Sequence, residues 1–272
     1  MANESTAAAS GAQPSDATSP TLEPRAVEAG RGASWWAEGW RLFTPRAGMW
    51  LLIALVVFGL VLAAGLLGLI PFIGQLLLLG AQILTPVFVG GLMLGCRAVD
   101  RGNPLTVAHL FAGFSQRTGP LVIVGLIYNG VAILIGILVA GMMVAIFGVG
   151  VLDMLTGATD ASQTGIAFGS AVVAVLLGFL FFLLLLLPLI MAIWFAPALV
   201  MLGGMAPVAA MKTSFQGCLR NVVPFLVYGV VGIVLAILAS VPFGLGWFVL
   251  APVTVATVYA SYCDIFEDQG AA

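Results

Sequence analysis

The sequence predicts an all-α integral membrane protein with six transmembrane helices in three parallel pairs, each pair preceded by a short interfacial amphipathic helix. Three observations predict this class. First, 62% of the 272 residues are hydrophobic and only 7% are charged, whereas soluble domains carry roughly 25% charged residues. Second, six stretches are apolar and long enough to cross a hydrocarbon core of ~30 Å. Third, an apolar stripe, a basic residue and an apolar stretch follow one another three times.

The three stripes predict short amphipathic helices, because their apolar residues recur at helical spacing. They are Trp36, Trp40 and Phe43; Val107, Leu110, Phe111 and Phe114; and Val208, Met211, Phe215 and Leu219. The predicted helix starts are Ser34, Asn103 with Pro104, and Pro207. Aromatic residues beside Lys or Arg are typical of helices in the headgroup region. A helix packed on the protein's own membrane domain has the same pattern, and the two interpretations are compatible.

Six apolar stretches follow these stripes in pairs. The predicted spans are 48–70, 75–96, 120–150, 169–195, 222–241 and 245–262. Tight turns are predicted at Pro71–Gly74 and Pro242–Gly244, and a loop containing Asp153 and Asp160 at 151–165. Each returning span contains a proline after a small residue, at Thr85-Pro86, Ala196-Pro197 and Ala251-Pro252. Two spans per unit make successive units enter from the same side, so the repeats are predicted to be parallel.

The ends of the chain lie outside these spans. Residues 1–33 are rich in Ala, Ser, Thr, Pro and Glu and have few large apolar residues, which predicts a disordered cytoplasmic tail. They lack the basic start and apolar core of a signal peptide. Residues 34–266 form the predicted transmembrane domain, and residues 267–272 a short acidic cytoplasmic tail.

The basic residues predict the orientation. With six spans, all nine Lys and Arg residues fall in the N-terminal region or in the loops after the second and fourth spans. The opposite loops contain no Lys or Arg. The positive-inside rule therefore predicts that both termini are cytoplasmic. The cysteines, Cys96, Cys218 and Cys263, would then lie at the cytoplasmic ends, and their odd number does not indicate a disulfide framework.

Motifs for catalysis, cofactors and metals are absent from the sequence. The single histidine, His109, lies on the second stripe, and no Cys/His cluster has metal-ligand spacing. No acidic residue falls inside a predicted span, which argues against a carboxylate proton relay. The net charge of −2 gives no indication of nucleic-acid binding. We therefore expect no catalytic residues, no cofactor, no metal and no nucleic-acid partner.

Two groups of polar residues are candidates for function. Gln82, Asn129 and Gln75 place amides within predicted spans, where an unpaired amide is costly. They either pack helices together by hydrogen bonds or line a polar pathway or substrate pocket. Arg46, Arg117 and Arg220 each stand before an odd-numbered span. They either anchor the spans at the interface or form contacts with lipid headgroups.

Several segments together resemble an uncharacterised family of proteobacterial multi-pass inner-membrane proteins. They are Gly39–Phe43, Gly48–Trp50, Phe195–Val200, Ser214-Phe215, Arg220-Asn221, Pro224-Phe225 and Tyr259–Phe266. The layout is more distantly similar to the membrane domains attached to some glycerophosphodiester phosphodiesterases, although no catalytic domain is attached here. The resemblance covers roughly residues 35–266. It implies a bacterial cytoplasmic membrane and several spans, and it supplies no active-site residues.

These observations give two expectations for function. The first is a non-enzymatic inner-membrane protein that binds lipids or an unidentified membrane-protein partner at the cytoplasmic face, which rests on the basic and aromatic stripes. The second is a transporter or exporter component for a small or amphipathic substrate, which rests on Gln82, Asn129 and the prolines within the spans.

Overall fold

The computed structural model describes residues 22–155 and 161–267, and every regular element in that part of the chain is a helix. The α-helices are α1 (Arg31–Phe43), α2 (Ala47–Leu67), α3 (Ile73–Asp100), α4 (Ala108–Phe111), α5 (Gly113–Gln116), α6 (Thr118–Leu155), α7 (Ala161–Trp194), α8 (Ala196–Met201), α9 (Pro207–Arg220), α10 (Val222–Ser240) and α11 (Trp247–Phe266). Six segments are long and apolar enough to cross a membrane; they include α2, α3, α10, α11 and parts of α6 and α7. The predicted all-α class and number of membrane-length helices are confirmed.

The boundaries differ from the prediction around residues 151–165. Helix α6 continues to Leu155 and α7 begins at Ala161, so most of the predicted loop is helical, and residues 156–160 lie outside the described chain. Asp153 is therefore inside α6, whereas Asp160 is not described. The sequence from Val151 to Leu155 has no Gly or Pro, and one aspartate costs a helix too little to end it.

Two of the three predicted helix starts are wrong. Helix α1 begins at Arg31, so Ser34 lies within it, and its hydroxyl donates to the Gly30 carbonyl. Asn103 belongs to the end of α3. Gly102 has φ +77°, and the Asn103 and Gly102 amides donate to the Ala98 and Val99 carbonyls. This pattern closes a helix C-terminus, so Asn103 does not cap the next helix. Pro207 does begin α9.

The buried core lies at one end of the bundle, where the short helices α1, α4, α5 and α9 are found. Helix α2 buries Trp50 and Ile53 near its start, while α3 buries most of the stretch from Pro86 to Cys96 near its end. At the opposite end the long helices expose Leu, Val and Ile side chains. Such exposure is expected in a bilayer, because lipid chains are as apolar as leucine. We call the two ends the core end and the open end.

Helix α11 is the central helix. In its most apolar stretch 61% of the residues are buried, against 11% for α10. Helices α4 and α9 pack on long helices that precede them, α3 and α7, whereas α1 packs on the last two helices, α10 and α11. Trp35 and Trp36 of α1 are buried, and the Trp36 ring stacks on Tyr228 at 4.8 Å.

Two similar turns join long helices at the open end. Phe72 connects α2 to α3 with φ +62°, and Phe243 connects α10 to α11 with φ +51°. Each phenylalanine follows a proline and is almost fully exposed. A positive φ is strained for a bulky residue. The likeness in sequence between these two turns therefore extends to an unusual backbone conformation.

Residues 22–33, which the prediction placed in the disordered tail, are ordered in the structure. The Arg25 amide donates to the Ile265 carbonyl at 3.0 Å. Asn221 holds the same segment from α9, because its side chain accepts from the Val27 amide and donates to the Arg25 carbonyl. Composition alone did not indicate this, since the partners lie about 200 residues away. Residues 1–21 and 268–272 lie outside the described chain.

Candidate functional site

A cavity of about 400 Å³ lies between α3, α6 and the junction of α7 with α8. Eight residues line it: Gln82, Thr85, Pro86, Val89, Tyr128, Ile193, Trp194 and Pro197. None of them carries a formal charge, but four have polar side chains. Gln82 lies nine residues inside α3 and Tyr128 ten residues inside α6, about 14–15 Å along each helix. We call this space the polar cavity.

Two prolines shape the polar cavity. Proline has no N–H to donate to the carbonyl four residues before it. Pro86 therefore leaves the Gln82 carbonyl without its helical donor, and Pro197 does the same for Ile193. Both prolines and both of these residues line the cavity. The structure thus brings together two of the three prolines that the sequence analysis had placed at equivalent positions.

Helix α7 is interrupted at Phe195, and Ser214 from α9 bridges the gap. The Ser214 hydroxyl accepts from the Phe195 amide at 2.9 Å and donates to the Met191 carbonyl at 2.7 Å. In an unbroken helix these two backbone groups would bond to each other. Ser214 is fully buried. The sequence did not predict this role, because Ser214 is not one of the apolar residues that form the predicted stripe of α9.

A cysteine lies beside this bridge. The Cys218 Sγ is 3.6 Å from the Met191 carbonyl oxygen. Burial disfavours the thiolate and raises the pKa of Cys218 to about 12. The thiol is therefore protonated at neutral pH.

The three amides named from the sequence lie in different places. Gln82 lines the polar cavity and makes no hydrogen bond with another described residue. Asn129 is buried and donates to the Gly125 carbonyl of its own helix at 2.9 Å. Gln75 is exposed beside Phe72 at the open end. Asn129 does not line the polar cavity, but its neighbour Tyr128 does.

Trp194 has an unusual buried donor. Its indole nitrogen is buried and has no hydrogen-bond partner in the described chain. The ring packs edge-on against Phe225 and Tyr228 of α10. A buried polar group without a partner is costly, and such groups in native proteins are rare. This nitrogen has almost no exposed surface, so it lies in the packing behind the cavity wall.

A second cavity, of about 360 Å³, lies between α2 and α11. It contains the third proline, Pro252, together with Phe248 four residues before it. Its walls are otherwise apolar and include Trp50, Phe58 and Leu92. The indole nitrogen of Trp247, also in its wall, donates to the Ser240 hydroxyl at 3.2 Å. We call this space the apolar cavity.

The three arginines predicted to contact headgroups have different surroundings. Arg46 is exposed. Arg117 is partly buried and donates to the Gly204 carbonyl at 3.2 Å, while Arg220 donates to the Pro24 carbonyl. Arg117 and Arg220 thus contact the protein's own backbone, and the structure does not bring the three arginines into one site.

Asp264 organises a polar cluster at the core end that the sequence analysis did not identify. It accepts from Arg31 at 2.6 Å and from the Trp35 indole at 3.0 Å. Arg31 also pairs with Glu38 at 2.8 Å. The signal in the sequence was the acid directly after the last apolar span, in a chain with nine Lys and Arg residues. The cluster joins α1 to α11 and explains why α1 is packed on the bundle.

The histidine and the other metal-ligating residues do not form a metal site within the described residues. The His109 Nδ1 accepts from the Thr106 amide at 3.1 Å. The same nitrogen lies 3.0 Å from the Thr106 hydroxyl oxygen. His109 is therefore held against its own loop.

Comparison with known proteins identifies one informative relative. A probable inner membrane protein of Burkholderia thailandensis is 27% identical over 262 residues, covering 88% of this chain and 90% of the relative. No family model matches the chain, and no solved structure matches it. The six membrane-length helices agree with the description of this relative as an inner membrane protein. The chain is a multi-pass inner-membrane protein.

Proposed function

We propose that this protein organises lipids at the cytoplasmic face of the inner membrane and has no catalytic role. The observation that supports the proposal most directly is the exposed side of the short helices. Large apolar residues there are exposed at the core end: Trp40, Phe111, Phe114, Val208 and Leu219. Arg46, Lys212 and Arg220 are exposed near them. Apolar and basic side chains on one outer surface suit the headgroup boundary.

Only some residues of each predicted stripe are exposed to lipid, because others, such as Met211 and Trp36, are buried against the bundle. Helix α9 buries mainly small residues, Ala210, Ser214 and Gly217, and so keeps larger ones outside. Helix α1 does the reverse, since it buries Trp35 and Trp36 and exposes Trp40. Both earlier interpretations therefore contribute to the proposal: each short helix packs on the bundle with one side and meets headgroups with the other.

The proposal includes an orientation and a repeat. The core end faces the cytoplasm, because the described basic residues lie in or next to the short segments there, and both termini are cytoplasmic. The long helices form three parallel pairs. This is supported by the two Pro-Phe turns and by the packing of α4, α9 and α1, each of which lies on a different pair. Reporter fusions at both ends would test the orientation, and a periplasmic signal from either end would contradict it.

The lipid role can be tested by extracting the full chain in native membrane particles and measuring its bound lipids. We expect anionic lipids to be enriched over the bulk membrane. Each basic residue near an anionic surface contributes ~1 kcal/mol, so the combined change Trp40→Ala, Lys212→Gln and Leu219→Ala should lower the enrichment several-fold. Phe72→Ala is the matched control, since this exposed aromatic residue lies at the open end. Unchanged enrichment in the triple variant would contradict the proposal.

A transporter or exporter component is the second candidate, and the polar cavity favours it. In many transporters interrupted helices near the membrane midplane form the substrate site. Cysteines introduced at Gln82, Tyr128 and Gln75 can be labelled with an impermeant thiol reagent. Transport requires Gln82 and Tyr128 to be reachable through water, and from both sides during a cycle. Protection of both positions from both sides would exclude it.

A further inference from the structure

The polar cavity contains hydrogen-bonding groups that have lost or lack partners. Pro86 and Pro197 each remove the donor for one carbonyl in the wall, at Gln82 and Ile193. The side-chain amide of Gln82 and the Tyr128 hydroxyl line the cavity and make no hydrogen bond with another described residue. Both donors and acceptors are thus available within one cavity.

The cavity lies at a depth where such groups need partners. Gln82 and Thr85 are exposed, and both are far from either end of α3. The cavity therefore opens on the side of the bundle, towards hydrocarbon. Backbone that departs from regular helix at this depth is tolerated only where it is buried in protein or lines a water-filled cavity, so its polar groups need partners. The groups here are complementary to a ligand that can both donate and accept.

The absence of charge from the eight lining residues restricts the class of ligand. An ionised phosphate or carboxylate would be buried there without a counter-ion, which is very costly. A neutral ligand with a hydroxyl group and carbonyl groups would satisfy both kinds of wall group. The volume of about 400 Å³ corresponds to about thirteen water molecules. It suits a glycerol head with its ester groups, while the acyl chains remain in the bilayer.

We propose that the polar cavity binds the hydroxyl-bearing head of a neutral lipid of the diacylglycerol type, which enters sideways from the membrane. Its hydroxyl donates to the freed carbonyl of Gln82 or Ile193. Its oxygens accept from the Gln82 amide and the Tyr128 hydroxyl. This site is separate from the basic surface of the short helices and does not depend on the proposed role there.

The test uses the full chain in nanodiscs made only of zwitterionic lipid, with a photoreactive diacylglycerol analogue as the probe. We expect adducts in residues 82–89 or 193–197. Unlabelled diacylglycerol should compete with the probe. Phosphatidic acid with the same chains, which differs only by its phosphate, should not. Because these discs contain no anionic lipid, the result is independent of the surface proposal.

Variants give the control. Gln82→Leu should lower labelling by about five-fold, the size expected for one net hydrogen bond. Gln75→Leu removes the same amide from the same helix outside the cavity and should leave labelling unchanged. If Gln82→Leu does not accumulate, Tyr128→Phe serves instead and should lower labelling similarly. Equal labelling of the cavity variant and the wild type, equal competition by phosphatidic acid, or adducts spread over α2 would each overturn the proposal.

Discussion

The polar cavity and the apolar cavity each lie beside a proline in a returning helix, yet their walls differ. At Pro86 and Pro197 the neighbours include Gln82, Thr85, Tyr128 and Trp194, whereas at Pro252 they are almost all apolar. Helices α3 and α11 continue through their prolines, while α7 stops at Phe195. A proline therefore creates the space and the freed carbonyl, and the surrounding side chains decide whether lipid tails or a hydrogen-bonding group suits it.

The largest effect is expected from Ser214→Ala, because the interruption of α7 beside the polar cavity depends on this hydroxyl. Loss of the hydroxyl leaves the Phe195 amide and the Met191 carbonyl unpaired, which costs about 1–3 kcal/mol for each group. We expect a loss of about 2–4 kcal/mol in the free energy of unfolding, measured by denaturation in detergent micelles. Ser115→Ala removes an exposed hydroxyl and should change stability by less than about 0.5 kcal/mol. An equally small change for Ser214→Ala would show that the break closes by itself.

The next prediction compares the substitution of one proline beside each cavity, Pro86 and Pro252. Pro86→Ala restores a donor to the Gln82 carbonyl, so labelling by the diacylglycerol probe should fall several-fold while the protein remains folded. Pro252→Ala makes the same change beside the apolar cavity and should leave labelling as in the wild type. Labelling that responds equally to both substitutions would mean that the polar wall does not distinguish the cavities.

The unpartnered indole gives a prediction of smaller size. Trp194→Phe removes a buried donor without a partner, so stability should be unchanged or rise by about 1 kcal/mol. Trp36→Phe is the matched change, because the Trp36 indole donates to the Tyr228 carbonyl at 3.0 Å. This variant should lose about 1–2 kcal/mol. The same unfolding measurement serves both, and an equal loss in the two variants would contradict the assignment.

The smallest effect on stability at neutral pH concerns Cys218, whose burial changes the reactivity of its thiol. Burial holds the pKa of Cys218 at about 12, so the protonated form is favoured in the folded state, and this contribution to stability is lost only as pH rises above about 9 towards 12. In a Cys96→Ala, Cys263→Ala background, alkylation at pH 8 should be about a thousandfold slower in the folded protein than in detergent-unfolded chain. Rapid alkylation would mean that water reaches the break beside the polar cavity.

The membrane-length helices could be predicted from the sequence, because one physical term, the transfer of apolar side chains out of water, dominates there. Stretches such as 48–70 and 222–241 are too apolar for water, so their membrane-length helices followed from composition alone. Asn103 and Ser34 were misassigned because a residue that suits a helix start also suits other positions. Gly102 permits a positive φ, and that conformation makes Asn103 part of the end of α3.

The candidate site was predicted only in part. Gln82 and the prolines were visible as polar or helix-breaking residues in apolar sequence. Tyr128 and Trp194 could not be predicted, because Tyr and Trp are common near membrane interfaces. Only the structure shows that both lie beside Pro86 and Pro197 in one cavity. Ser214 and Asp264 depend on contacts 19 and 229 residues away. No local pattern encodes such distances.

The bridge formed by Ser214 also bears on how the chain is assembled. Phe195 precedes Ser214 by 19 residues, so the fourth long helix comes before the hydroxyl that completes it in the order of synthesis. Until α9 arrives, an amide and a carbonyl near the core end lack their permanent partner. Insertion of the second pair is therefore finished only when the third unit begins, which links neighbouring units in the order of their synthesis.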